Sequence, residues 1–93
     1  EMYSLSFTRK AVEDIRTIKK SGNRPMIKKL TELLNEIREH PRSGTGQVER
    51  LKHYRNTDTW SRRLSRDYRI VYTIYEEKIE VEILSAVGHY GDK

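Results

Sequence analysis

The sequence predicts an α+β domain: an N-terminal strand, then two helices packed on an antiparallel, mainly C-terminal sheet. Three observations carry that reading. Apolar residues alternate with polar ones from Tyr3 to Phe7, recur at helical spacing from Ala11 to Ile37, and return to alternation from Trp60 onward. The 93 residues leave room for one hydrophobic core, so residues 1–93 are read as a single domain, with Met2 as its natural start.

Each element has a local cause. Tyr3, Leu5 and Phe7 alternate with Ser4 and Ser6, the pattern of a short half-buried strand. Thr8 is placed to cap a helix whose apolar positions are Ala11, Val12, Ile15 and Ile18, and Ser21-Gly22-Asn23 should end it. A second helix is expected from Pro25, because proline suits the first helical turn, to just before Pro41. Ile27, Leu30, Leu33, Leu34 and Ile37 form its apolar stripe, which is read as core.

Pro41 to Gly46 reads as loop, and a short strand near Arg50-Leu51-Lys52 is only weakly signalled. Trp60, Arg62 and Leu64 then alternate with Ser61, Arg63 and Ser65, ahead of a turn at Arg66-Asp67. Tyr68, Ile70, Tyr72 and Ile74 share one face of the next strand. After a turn at Glu76-Glu77, Ile79, Val81, Ile83 and Ser85 are expected on one face of the last.

Composition narrows the partners. The formal net charge is +5 and the pI about 9.6, which favours an anionic partner. The excess is concentrated: Glu49 to Arg69 holds seven cations against three acids, whereas Glu76, Glu77, Glu80 and Glu82 make the next hairpin acidic. The absence of cysteine fits a reducing compartment, and the apolar runs are too short to span a bilayer. A cytoplasmic protein without a signal peptide is expected.

Parity suggests a site. If Trp60 and Tyr68 face the helices, Arg63 and Arg69 project from the opposite face, which Glu49 and His89 are free to join. That set suits metal-independent RNA cleavage, in which the RNA 2′-hydroxyl is the nucleophile. Glu49 would serve as general base, Arg63 and Arg69 as phosphate clamps, His89 as general acid, and Tyr90 as a stacking or orienting group. A carboxylate of ordinary pKa, about 4.3, is a weak base at neutral pH, so RNA or a partner surface is expected to complete the site.

Singly, each residue has an ordinary explanation: a solvated glutamate, arginines paired across strands with Glu80 or Glu82, a frayed terminus. His40 and His53 read as surface residues and Trp60 as a core anchor. No metal-ligand spacing and no phosphate-cradling glycine loop occurs, so no cofactor or metal is expected.

The motifs Gly44-x-Gly46-x-x-Glu49-x-Leu51-Lys52-His53, Trp60-Ser61-Arg62-Arg63-Leu64, Tyr68-Arg69-Ile70-Val71-Tyr72 and His89-Tyr90 together resemble the YoeB/Txe branch of the RelE-like toxins. The likeness runs in order from about Ile27 to Tyr90. It implies a RelE-like microbial ribonuclease fold and a toxin of a bacterial type II toxin–antitoxin system that cleaves messenger RNA in the ribosomal decoding site. It implies a YefM/Phd-like antitoxin partner too, with operator DNA met only through the antitoxin complex.

Carried over residue by residue, the base falls on Glu49, the phosphate-stabilising arginine on Arg69, the acid on His89 and the terminal tyrosine on Tyr90. Lys52, Arg62 and Arg63 fall in basic stretches assigned to RNA or phosphate binding, and Lys19, Lys20, Lys28 and Lys29 suit ribosomal RNA. Two features depart from the pattern: the Gly91-Asp92-Lys93 extension and a slightly long His53–Thr59 stretch. A same-fold ParE-like gyrase inhibitor and a non-catalytic RNA- or ribosome-binding module are the alternatives.

Overall fold

The computed structural model describes residues 2–88. In chain order it comprises β1 (Ser4–Phe7), α1 (Arg9–Lys20), α2 (Arg24–Glu39), β2 (Glu49–Arg50), β3 (Asp58–Arg63), β4 (Tyr68–Tyr75), a 3-10 turn (Glu76–Lys78) and β5 (Glu80–Gly88). The five strands form one sheet in the order β1-β5-β4-β3-β2. β2 to β5 run antiparallel, as the alternation predicted, but β1 lies parallel to β5 and makes the sheet mixed. Parallel neighbours need a long connection between them, and here α1, α2 and the strands β2 to β4 all intervene between β1 and β5.

Both helices start on the caps their sequences supply. Thr8 Oγ1 accepts from the Ala11 amide at 3.0 Å and donates to the Leu84 carbonyl at 2.8 Å, so one hydroxyl starts α1 and ties it to β5. Asn23 Oδ1 accepts from the Met26 amide at the start of α2. Ala11 and Ile18 of α1 and Met26, Leu30, Leu33 and Ile37 of α2 are buried against Ile70, Tyr72, Ile74, Val81, Ile83 and Ala86 of the sheet. Val12, at the margin of that stripe, is turned outward.

A bulge changes the last strand. Tyr72 pairs with Ile83 but Val71 pairs with Ser85, which leaves Leu84 as an extra residue. Beyond it the faces exchange. Ala86 enters the core, and Ser85, expected beside Val81 and Ile83, is moved to the other side with Val71. The Ala86 amide donates to Asp14 of α1 at 3.0 Å, so the strand edge beyond the end of β1 is satisfied by a helix side chain. Among the described residues no helix is long and apolar enough to cross a membrane.

Candidate active site

Trp60 and Tyr68 both pack against the helix-side core, so Arg63 and Arg69 stand on the opposite face of the sheet. The register makes them direct partners across β3 and β4. Arg69 is the more firmly held. Its Nε and Nη2 donate to Ser61 Oγ at 3.1 and 3.0 Å, and Nη2 also donates to the Gln47 carbonyl at 3.0 Å. Glu49 pairs in register with Ser61, which brings its carboxylate to 3.8 Å from Arg69 Nη2. Glu49 is two-thirds exposed while Arg69 is largely enclosed, an open carboxylate beside an anchored cation.

Arg63 remains exposed. The proposed cross-strand pairing of these arginines with Glu80 or Glu82 is not what forms. Arg69 faces Val87 on β5, Glu80 accepts from Ser6 at 2.7 Å, and Glu82 from Tyr75 at 3.4 Å. Lys52 is exposed in the turn after β2, where with Arg50 and Arg55 it lines a shallow hollow over Leu51 and Tyr54. His89 and Tyr90 lie outside the described residues.

Arg62 is the correction. Expected to bind RNA, it points to the helix side and has no exposed side-chain surface. All five of its N–H groups are used within the protein. Nε donates to Tyr72 Oη at 3.1 Å, Nη1 to Glu36 at 2.8 Å and to the Thr45 carbonyl at 3.4 Å, and Nη2 to the carbonyls of His40 and Ser43. Tyr72 Oη in turn donates to the Pro41 carbonyl at 2.7 Å. A buried guanidinium is tolerated only when a counter-charge and acceptors replace its water, and Glu36 with three loop carbonyls and a phenol does this.

The loop it holds is the one that carries the site. Glu36 accepts from the Thr45 amide at 3.0 Å and from its hydroxyl at 2.7 Å. Burial alone pushes the Glu36 carboxyl up, but the two Thr45 hydrogen bonds and the charges of Arg62 and His40 together hold it below its ordinary value. Gly44 has φ +125°, and a Cβ there would meet the Glu36 carboxylate at 2.7 Å. Gly46 has φ +94°, and its Cβ would meet the Arg63 carbonyl at 2.9 Å; its own carbonyl accepts from the Arg63 amide. The two glycines therefore serve close packing of loop against helix and strand. Ser61 and Gln47, which anchor Arg69, were not singled out from sequence. Ser61 shares the parity of Arg63, but its contact with Arg69 depends on the β3–β4 register.

A two-helix layer on one face of this mixed sheet is a RelE-like fold, and the other face here carries a carboxylate beside paired arginines. The family model described as "YoeB-like toxin of bacterial type II toxin-antitoxin system" matches residues 7–90, and the chain belongs to that family. It is 34% identical to the toxin YoeB of Mycobacterium bovis over 89 residues, covering 96% of this chain and all of the relative. It is 35% identical to the toxin YoeB of Escherichia coli K12 over 54 residues, 58% of this chain and 63% of that toxin. The YoeB–YefM complex of Staphylococcus aureus superposes with a TM-score of 0.77 at 32% identity, covering 97% of this chain and all of that one.

Proposed function

We propose that this toxin is a metal-independent endoribonuclease that cleaves messenger RNA on the ribosome and so stops translation. The observation that carries the reading is the exposed Glu49 carboxylate 3.8 Å from an Arg69 that Ser61 and Gln47 hold in place, with Arg63 directly across the strands. Glu49 takes the proton of the RNA 2′-hydroxyl, and that oxygen attacks the adjacent phosphorus. The bond to the 5′-oxygen breaks, and His89 donates the proton that the leaving oxygen needs. The products are a 2′,3′-cyclic phosphate and a 5′-hydroxyl end. Arg69 and Arg63 take up the charge that builds on the phosphoryl oxygens, where fixed donors are worth about 10²–10³-fold each. Tyr90 stacks on or orients the nucleotide, and Lys52 meets a neighbouring phosphate.

The reading includes a cytoplasmic bacterial setting and a YefM-like antitoxin, because the S. aureus relative is seen in complex with YefM. An acidic, extended antitoxin segment over Arg63 and Arg69 would neutralise the like charges and cover the site, and operator DNA would be met only through that complex.

The test is cleavage of a defined message during translation, with chelator present, by wild type, Glu49→Gln and Arg69→Ala. Ribosome-dependent cuts that survive chelation and disappear in both variants support the proposal. A folded wild type that leaves the message intact overturns it and turns attention to gyrase inhibition.

A further inference from the structure

We infer that Glu36 and the buried Arg62 are positioning residues, which set the direction of Arg69 through the loop from His40 to Gln47; this rests on the ribonuclease reading above. The loop has no regular secondary structure, so its backbone conformation must be imposed from outside. Arg62 imposes it from within: the carbonyls of His40, Ser43 and Thr45 all turn inward to one guanidinium. Glu36 closes the arrangement by neutralising Arg62 with one carboxylate oxygen that also accepts both donors of Thr45.

Two residues beyond Thr45, the Gln47 backbone takes a left-handed φ of +51° and presents its carbonyl to Arg69 Nη2. Glu49 then enters β2 in register with Ser61, the other anchor of Arg69. A shift of this loop would move a hydrogen-bond acceptor of Arg69 and the proposed base together. Neither Glu36 nor Arg62 needs to touch RNA for this. They act through Thr45, Gly46 and Gln47.

Glu36 is partly exposed and is the safer place for the test, because an Arg62 variant leaves several buried carbonyls without a donor. Glu36→Ala and Glu36→Gln are compared with wild type in two measurements on protein shown to be folded. One is single-turnover cleavage of ribosome-bound message, read as maximal rate and half-saturating concentration. The other is the position and solvent exchange of the Arg69 Nε–H NMR signal.

Glu36→Ala is expected to lower the maximal rate by about 10²-fold, the cost of misplaced catalytic groups, with half-saturation within about twofold. Its Arg69 Nε–H signal should shift and exchange faster. Glu36→Gln keeps an oxygen acceptor for Thr45 and should recover most of the rate and the wild-type signal. An unchanged Arg69 signal with an unchanged rate in folded Glu36→Ala overturns the inference. So does a rate loss no larger than the unfolded fraction. If wild type itself fails to cleave, the ribonuclease reading falls, and the Arg69 signal alone decides whether the loop is positioned by Glu36.

Discussion

Arg63 and Arg69 occupy directly opposed positions on β3 and β4, two guanidinium side chains on the same face with no acidic residue of β5 opposite Arg69. Like charges set across a strand pair repel, and the exposed Glu49 carboxylate 3.8 Å from Arg69 Nη2 offsets part of that repulsion. An anion between the two arginines would remove the rest. The arrangement is therefore informative about function in a way that either arginine alone is not.

Arg63→Gln should accordingly stabilise the free protein slightly while impairing the proposed nuclease activity. The expected gain is about 0.2–1 kcal/mol in urea unfolding, from loss of the cross-strand repulsion. Cleavage should fall about 10²-fold, as for removal of one charged donor from the transition state. A variant that is both less stable and fully active would show that Arg63 supports the sheet and not the chemistry.

Tyr72→Phe probes the interior half of the same arrangement. The phenol accepts from Arg62 and donates to the Pro41 carbonyl, so its loss leaves two buried groups unsatisfied. A destabilisation of about 1–3 kcal/mol is expected in denaturant melts. Burial raises the Tyr72 pKa, against the opposing pull of Arg62, so the phenol keeps its proton for the bond to Pro41 throughout the neutral range. A change below a few tenths of a kcal/mol would mean that the phenol is dispensable.

Acid should unfold the protein partly through Asp58. Burial raises its carboxyl, but the Trp60 indole N–H, Arg42 and Arg50 more than offset this and hold it below its ordinary 3.8. A carboxyl whose folded pKa is depressed contributes stability above its unfolded pKa and loses it as pH falls through the folded value. Melting temperature should therefore drop steeply below about pH 4, and Asp58→Asn should flatten that limb while lowering stability at neutral pH. Arg42 bridges Asp58 at 2.6 Å and the more exposed Glu76 at 3.2 Å, so it is held from two sides beside Asp58.

Thr8→Ala removes both the α1 cap and a bond to β5. The expected loss is about 1–2 kcal/mol, the upper part of the range for a capping threonine, because the Leu84 carbonyl loses its donor as well. Thr8→Ser, which keeps the oxygen, should restore most of it. Equal losses in the two variants would assign the effect to the methyl group.

Much of this molecule is written locally. Thr8 and Pro25 mark helix starts, Ser21-Gly22-Asn23 a stop, and the two-residue period places Arg63 and Arg69 on the face away from Tyr68, because caps, turns and side-chain periods depend on neighbours within a few residues. The same period gives Arg63 and Arg69 their shared face, but the place of Glu49 beside Arg69 comes from the β2–β3 register, which parity does not supply. Only tertiary structure decided which anchors hold Arg69, that Ser85 changes face at the Leu84 bulge, and that Arg62, set by the two-residue period on the face of Trp60, is fully buried there. Period two tells the face of Arg62 from that of Arg63, but it does not tell a buried arginine from a solvated one. What separates them is whether acceptors 17 to 26 residues distant converge on one of them, and closing the Glu36–Thr45 loop over β3 settles that. The charge that sequence assigned to RNA is, in Arg62, the interior support of the loop that carries Glu49.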